Sequence, residues 1–328
     1  MIRIFILIMM SLSMTSSVLE RDDVIEFIDL AVEKSILTRE EVLNYLKDAQ
    51  PSEKAVELRS NQPEVKATWD NYRGKRVTNT RIKNGVKFIR ENEDIFNQVE
   101  NDYGVSKFYI AAIIGLETNY GSYFGSFNPL DTIFTRAFNP KSNFWQNELI
   151  ELLVLSKRYN LNPKEMTSSW SGAIGLGQFI PSSYNAYGVD YDYDGYVDLM
   201  NSEMDGIASV ANYLKIHGWK SNQPAVEEVS FGNNFSDLDD AEIDKLELPF
   251  KINNFRTKIS LKELNDAGFL VSLNESDELT PLLFYEEGYT KLFIGFDNFR
   301  VITKYNRSSK YALAVHQLAV AISEKFYE

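Results

Sequence analysis

The sequence predicts an α+β fold that is mainly α. Apolar residues recur at helical spacing from about Val24 to Ala49, from Thr80 to Tyr103 and again over Ala312 to Ile322. Short alternating runs, Lys291-Leu292-Phe293-Ile294-Gly295-Phe296 and Phe299-Arg300-Val301-Ile302, read as strands inside an acidic, loop-rich stretch from about 221 to 304. A small β-containing unit is therefore expected between helical elements contributed by both ends of the chain.

Taken in order, residues 2 to 14 place one cation ahead of a short apolar run that ends in Thr15-Ser16-Ser17, and this resembles a secretory signal peptide. The run is short for a transmembrane span, and since no clear small-x-small cleavage site follows it, an uncleaved N-terminal anchor is the alternative. Thr38, followed by Arg39-Glu40-Glu41, marks a helix start, and Pro51-Ser52 closes a two-helix N-terminal unit. Near Trp69-Asp70-Asn71-Tyr72-Arg73-Gly74 the helical pattern breaks, and Thr80 to Tyr103 resumes it as one long amphipathic helix. Residues 106 to 220 hold most of the glycines and every sharp motif. The last stretch, Ala312 to Ile322, is expected to pack back on the N-terminal helices.

Bulk composition narrows the function. With 328 residues the chain is long enough for about two domains. A net charge of −13 argues against nucleic acid or anionic lipid as the main partner, because both are bound chiefly through Lys and Arg. The 21 Phe and 18 Tyr supply abundant stacking surface for a neutral ligand. The absence of cysteine excludes disulfides, thiolate chemistry and the acyl-bearing cysteine of a lipoprotein. Only His217 and His316 exist, without acidic or cysteine partners at ligand spacing, and both read as packing or surface residues. No Gly-x-Ser-x-Gly elbow supports a nucleophilic serine.

The most informative residue is Glu117. Phe108, Tyr109, Ile110, Ala111, Ala112, Ile113, Ile114, Gly115 and Leu116 run into it, with Ser106 as a candidate N-cap and Gly121 as a candidate C′ residue. Ile110, Ile113 and Ile114 lie seven, four and three residues before it on one helical face. Desolvation and the negative end of the helix dipole both disfavour its charged form. A carboxylic acid protonated near neutral pH is what a general acid for glycosidic cleavage requires. A solvated or structurally paired Glu is the alternative.

Two further constellations stand out. Asp190, Asp192 and Asp194 at alternate positions, Gly195, and the carbonyl of Tyr196 match the first seven positions of an EF-hand calcium loop. Position 12 is Asn201 rather than a bidentate Glu, so Glu203 or Asp205 must close the cage through a longer loop. Such a calcium ion would be structural; the plain alternative is an acidic surface turn. Upstream, Gly172, Gly175 and Gly177 precede Gln178 and Phe179, where backbone can approach a ligand closely, Gln178 can bond hydroxyl or acetamido groups, and Phe179 or Tyr184 can face a sugar ring. A tight helix–loop packing contact explains the same glycines.

Gly115-Leu116-Glu117-Thr118-Asn119-Tyr120-Gly121, the stretch from Ser171 to Tyr184, the Asp loop, and Ser209-Val210-Ala211-Asn212-Tyr213-Leu214 with His217-Gly218-Trp219 together resemble the lytic murein transglycosylase B family. The likeness continues through Thr303 to Tyr311, and more weakly through Tyr72-Arg73 and Arg81 to Val86. It implies a lysozyme-like catalytic core, an α domain from both chain ends and a small β domain. The boundaries expected on this basis are a signal peptide over 1–19, an α domain over 20–100 completed by 305–328, a core over 101–222 and a β domain over 223–304.

The resemblance implies that Glu117 is the single acid/base, protonating the oxygen between N-acetylmuramic acid and N-acetylglucosamine and then accepting the proton of the muramyl C6 hydroxyl, which closes a 1,6-anhydro ring. This accounts for the missing second carboxylate, since an ordinary glycosidase pairs two. By the same matching, Ser169, Gln178, Phe179, Tyr213, Tyr305, Asn306, Tyr311 and Tyr72 are implied as substrate-binding residues. The Asp loop is one residue longer than the family pattern, and Asp205 is the closing ligand expected alongside Asp190, Asp192, Asp194 and Tyr196. The implied protein is periplasmic and monomeric, binds peptidoglycan glycan strands and Ca2+, uses no organic cofactor and meets cell-wall assembly proteins. A hydrolytic muramidase using a distant carboxylate and a non-catalytic peptidoglycan-binding protein are the competing readings.

Overall fold

The structure is a computed structural model that describes residues 18–60, 67–273 and 278–328. The signal peptide expected at the N-terminus lies outside the described residues except for Val18 and Leu19, which pack on the helical core from a 3-10 turn at Val18–Glu20. Among the described residues no helix is long and apolar enough to cross a membrane.

Among the described residues the chain is mainly helical with one three-stranded sheet. Helices α1 (Asp22–Lys34), α2 (Arg39–Leu46) and α3 (Glu53–Ser60) come first. Thr38 caps α2 as the sequence predicts, its hydroxyl accepting from the Glu41 amide while the Glu41 side chain returns to the Thr38 amide. The break expected around Trp69 is instead helix α4 (Trp69–Arg76), started by the Thr68 side chain, which accepts from the Asn71 amide. It buries Trp69 and Tyr72, and its polar composition conceals that face in the sequence.

The single helix expected from Thr80 to Tyr103 is two helices, α5 (Asn79–Glu91) and α6 (Glu93–Tyr103). They meet at Asn92, which is buried and leaves helical geometry at φ −119°, ψ 30°. Helix α7 (Lys107–Thr118) follows, with Ser106 as the predicted cap accepting from the Phe108 amide. It is buried almost all round, and Ile110, Ile113 and Ile114 are wholly inaccessible. Helices α8 (Pro129–Phe138) and α9 (Asn143–Arg158) pack as a pair, α10 (Pro181–Tyr187) lies on α9, and α11 (Glu203–Ile216) lies on α6 and α7.

Strand β1 (Val226–Val229) precedes the short helices α12 (Asp240–Ile243) and α13 (Leu261–Asp266), and β2 (Thr280–Glu286) and β3 (Tyr289–Gly295) form a hairpin. The order is β1-β3-β2, antiparallel throughout, with Val226 and Thr280 flanking Gly295 from opposite sides. Glu287 and Gly288 both take positive φ, 55° and 94°, as a two-residue hairpin turn requires. Pro281 sits on edge strand β2, where a ladder donor is not needed. This unit has a hydrophobic cluster of its own, which includes Phe235, Leu264, Phe269, Leu283 and Ile294.

The run Phe299 to Ile302, expected as a strand, belongs to helix α14 (Asp297–Tyr305). A four-residue apolar run does not fix its own period; here Phe299 and Ile302 share the buried face and Lys304 is exposed. The final helix α15 (Ser309–Tyr327) packs on α4, α5, α7 and α14. Helices α1 to α3 reach α8 instead, through Phe27 edge-on to Phe138, the Gln50 amide donating to Asp131 and the Ser52 amide donating to Thr135.

One buried carboxylate ties the sheet to the helices. Glu286 at the end of β2 is 2% exposed and accepts from Trp69 Nε1 at 2.6 Å, Gln317 Nε2 at 2.9 Å and Lys291 Nζ at 3.1 Å, with Arg73 alongside. These donors hold it below the usual carboxylate range against the opposing effect of burial.

Candidate active site

Glu117 stands on the last turn of α7, half-buried, where the chain leaves the helix through three successive positive-φ residues: Asn119, Tyr120 and Gly121. The predicted exit glycine is thus present but third in line, since Asn119 takes the left-handed cap position. Thr118 fixes the turn. Its buried hydroxyl donates to the carbonyls of Ile114 at 3.2 Å and Leu176 at 3.1 Å and accepts from the Gly121 amide at 3.1 Å. Tyr120 folds under the helix and donates to the Arg81 carbonyl at 2.9 Å.

From the other side come the two ends that flank the α14–α15 turn. Tyr311, in the first turn of α15, is 4% exposed, and its phenol donates to Glu117 Oε1 at 2.6 Å. Tyr305, at the end of α14, donates to the Gly177 carbonyl. A Cβ on Gly177 would stand 2.6 Å from that Tyr305 oxygen, so only glycine admits this approach. Burial pushes both phenols well above their ordinary pKa, and the Glu117 charge adds to it, so each remains a hydrogen-bond donor across the whole neutral range.

The glycine-rich segment forms the opposite wall. Ile174 and Phe179 bridge each other, and the intervening turn puts Gln178 at φ 51° with its side-chain amide on the Gly175 carbonyl at 3.0 Å. Phe179 packs 5.7 Å from Tyr305 and 5.8 Å from Tyr213 between ring centroids, and Tyr213 lies 4.8 Å from Tyr305. The Tyr213 phenol donates to the Lys304 carbonyl at 2.7 Å, and burial pushes its pKa up to about 12. Glu117, Tyr311, Tyr305, Phe179, Tyr213 and Gln178 are therefore linked through direct or one-step contacts.

The other expected residues sit around this group. Tyr72 is buried beneath the Arg76 guanidinium, which lies 3.6 Å from its ring. Asn306 is exposed and caps α14. Ser169 is bound within its own loop, its hydroxyl paired with Ser171 at 2.9 Å and accepting from the Ala173 amide.

Asp190, Asp192 and Asp194 bring carboxylate oxygens within 4.8 Å of one another. The amides of Asp194, Gly195 and Tyr196 curl inward onto Asp190, Asp192 and Asp194 side chains. Three converging hard oxygen donors suit calcium. Asp205 lies outside this trio: it is 1% exposed, and its two oxygens accept from the Tyr191 and Asp198 amides at 2.8 and 2.7 Å, bracing both flanks of the loop from α11. The loop also reaches the glycine-rich segment, because the Leu176 amide donates to the Leu199 carbonyl at 2.7 Å.

Residues 20–320 match the transglycosylase SLT domain. The chain belongs to this family. It is 34% identical over 313 residues to the membrane-bound lytic murein transglycosylase B of Escherichia coli strain K12, covering 91% of this chain and 82% of that one. Among solved structures, the E. coli lytic transglycosylase Slt35 in complex with calcium is similar at a TM-score of 0.82 and 31% identity, covering 94% of this chain and 95% of that one. SltB3 from Pseudomonas aeruginosa in complex with NAG-anhNAM-pentapeptide is similar at a TM-score of 0.74 and 29% identity, covering 91% and 78%. The mainly helical α+β fold with its small sheet agrees with this lytic transglycosylase membership.

Thr118, Tyr120 and Leu176 hold together the turn that carries Glu117, yet the sequence alone assigns them no role. Adjacency to Glu117 is the one signal that could have pointed to Thr118.

Proposed function

We propose that this transglycosylase cleaves the bond between N-acetylmuramic acid and N-acetylglucosamine in peptidoglycan glycan strands without water, leaving 1,6-anhydro-muramyl ends, with Glu117 as the only acid/base. The observation that carries the reading is the Glu117–Tyr311 bond: one carboxyl group, half-buried, held by a phenol that stays protonated. The family membership and the peptidoglycan fragment bound by SltB3 support the substrate class.

Protonated Glu117 gives its proton to the bridging oxygen as the C1–oxygen bond breaks, and the oxocarbenium-like charge at C1 forms opposite the new carboxylate. That carboxylate then takes the proton of the muramyl O6, whose oxygen closes onto C1. The acid is regenerated and no water is consumed. Tyr311 orients the carboxyl group and stabilises it while it is charged. Tyr305, Gln178 and Asn306 offer the ring face and polar edges that meet the sugars, Phe179 and Tyr213 back Tyr305 from within, and Ser169 and Tyr72 hold the loop and helix behind them.

We further propose that Asp190, Asp192, Asp194 and the Tyr196 carbonyl hold a structural Ca2+, while Asp205, expected from the sequence as the closing ligand, instead braces the loop from behind through the Tyr191 and Asp198 amides. The ion would neutralise three converging carboxylates and stiffen the loop. The N-terminal leader exports the enzyme to the periplasm, where it works as a monomer.

Mass spectrometry of muropeptides released from purified sacculi tests the central claim. Wild type yields anhydro ends, one water lighter than reducing ends, and Glu117→Gln yields none. Reducing ends would mean a hydrolase, and lysis by Glu117→Gln would remove Glu117 from the mechanism.

A further inference from the structure

Next to the aromatic wall, on the side of α11 and α14, lies a cavity of about 630 Å³ whose lining includes Tyr213, His217, Arg256, Arg300, Lys304 and Arg307. Four cations line this one cavity in a chain of net charge −13. Of these, Arg300 is neutralised by Asp297 and by Glu278 at 3.2 Å. Lys304 donates from Nζ to the His217 carbonyl at 3.1 Å, a neutral acceptor that leaves its charge uncompensated.

Arg256 and Arg307 are exposed and form no ion pair among the described residues. Both also line a second, adjoining cavity of about 930 Å³ that runs along the 243–256 segment to Ser309. Ser309 is 6% exposed, and its hydroxyl has no hydrogen-bond partner there. Arg256 and Arg307 therefore border both open spaces, Tyr213 lines one of them with these two, and Arg307 directly follows Tyr305 and Asn306 in the chain. Their field is felt inside: the Arg307 charge opposes the rise in the Tyr213 pKa, and Lys304 adds to burial in lowering that of His217.

We propose that Arg256 and Arg307, with Lys304, form an anion-binding ridge that receives the carboxylates of the peptide stem carried by the glycan strand lying in the groove. This rests on the peptidoglycan reading of Glu117 and its aromatic wall. A guanidinium presents a planar fork that fits a carboxylate, and an uncompensated pair beside the sugar-binding wall is placed for an acid attached to the sugar rather than for the sugar itself. The ridge thereby makes the enzyme favour stem-bearing strands over bare ones.

The test compares kcat/KM on glycan strands that keep their stem peptides with the same strands stripped by an amidase. Arg256→Ala/Arg307→Ala should lose about 5- to 20-fold on stem-bearing strands, mainly in KM, and stay near wild type on bare strands, as expected for two exposed charge contacts. Arg256→Lys/Arg307→Lys should restore part of the loss, and raising salt to about 0.5 M should shrink the wild-type preference. Equal losses on both substrates, no loss on either, or a wild type that does not distinguish them would overturn this inference alone. A wild type that releases no product from either preparation would overturn the lyase reading, and this inference with it.

Discussion

Tyr311 and Glu117, 194 residues apart in the chain, meet at 2.6 Å because α15 crosses α7 with its first turn over the last turn of its neighbour. The carboxyl group thus owes its orientation to a helix from the opposite end of the protein. Removing only the phenolic oxygen, with Tyr311→Phe, keeps the buried ring and deletes the bond. A hydrogen bond to a charged group contributes about 1.5–3 kcal/mol, so kcat should fall roughly 10- to 100-fold. Unchanged melting with that loss locates the effect in catalysis; unchanged kcat would show that Tyr311 merely fills space.

Thr118 makes a different kind of prediction, since its hydroxyl serves three partners at once. Thr118→Val keeps the shape while leaving the Leu176 carbonyl and the Gly121 amide without their partner. The cost should be about 1–3 kcal/mol of stability, read as a lower Tm. Activity should fall further than stability explains, because Leu176 belongs to the segment that carries Gly177, Gln178 and Phe179. Wild-type Tm and kcat in the Thr118→Val variant would show that the turn is held by backbone alone.

The Asp loop is joined to the same segment by the Leu176 amide and the Leu199 carbonyl. Calcium at about 100 times its Kd should stabilise the protein by about 2.7 kcal/mol, and a chelator should reverse it. Asp192→Asn removes one of three converging charges and should abolish the calcium-dependent rise in Tm while raising the metal-free Tm, as like-charge repulsion is relieved. Through Leu199, Leu176 and Thr118, chelation should also lower kcat. A calorimetric scan insensitive to both calcium and chelator would leave the loop an acidic turn.

What the sequence discloses and what it hides follows from the range of the interactions. Ser106 and Thr38 announce their helices because a cap is settled by the next three residues. The alternate carboxylates of the Asp loop are equally local. The division at Asn92 has neither Gly nor Pro to mark it, and comes from packing: Phe88 and Phe96, on either side, meet edge-on at 5.6 Å. The run Phe299 to Ile302 is too short to show its period. Tyr305 and Tyr311 could be placed near Glu117 only by likeness to a family, because no spacing rule connects residues so distant in sequence.

His316 gives a pH dependence of stability whose sign is determined by burial. Its ring lies between α15 and α7, with Nδ1 2.7 Å from the Tyr109 hydroxyl, and desolvation lowers its pKa from 6.5 to about 4. Burial keeps the ring uncharged in the folded state, whereas the unfolded chain takes up a proton below about pH 6.5. Unfolding therefore binds a proton in the window from about 6.5 down to about 4, and stability falls as pH drops through it. A shift of this size corresponds to on the order of 3 kcal/mol once the window has been crossed. His316→Gln, which keeps an acceptor for Tyr109 and cannot charge, should lose less stability over the same interval. Chemical denaturation at pH 7 and pH 4.5 measures both slopes, and parallel slopes for the two proteins would show that other groups set the acid limit.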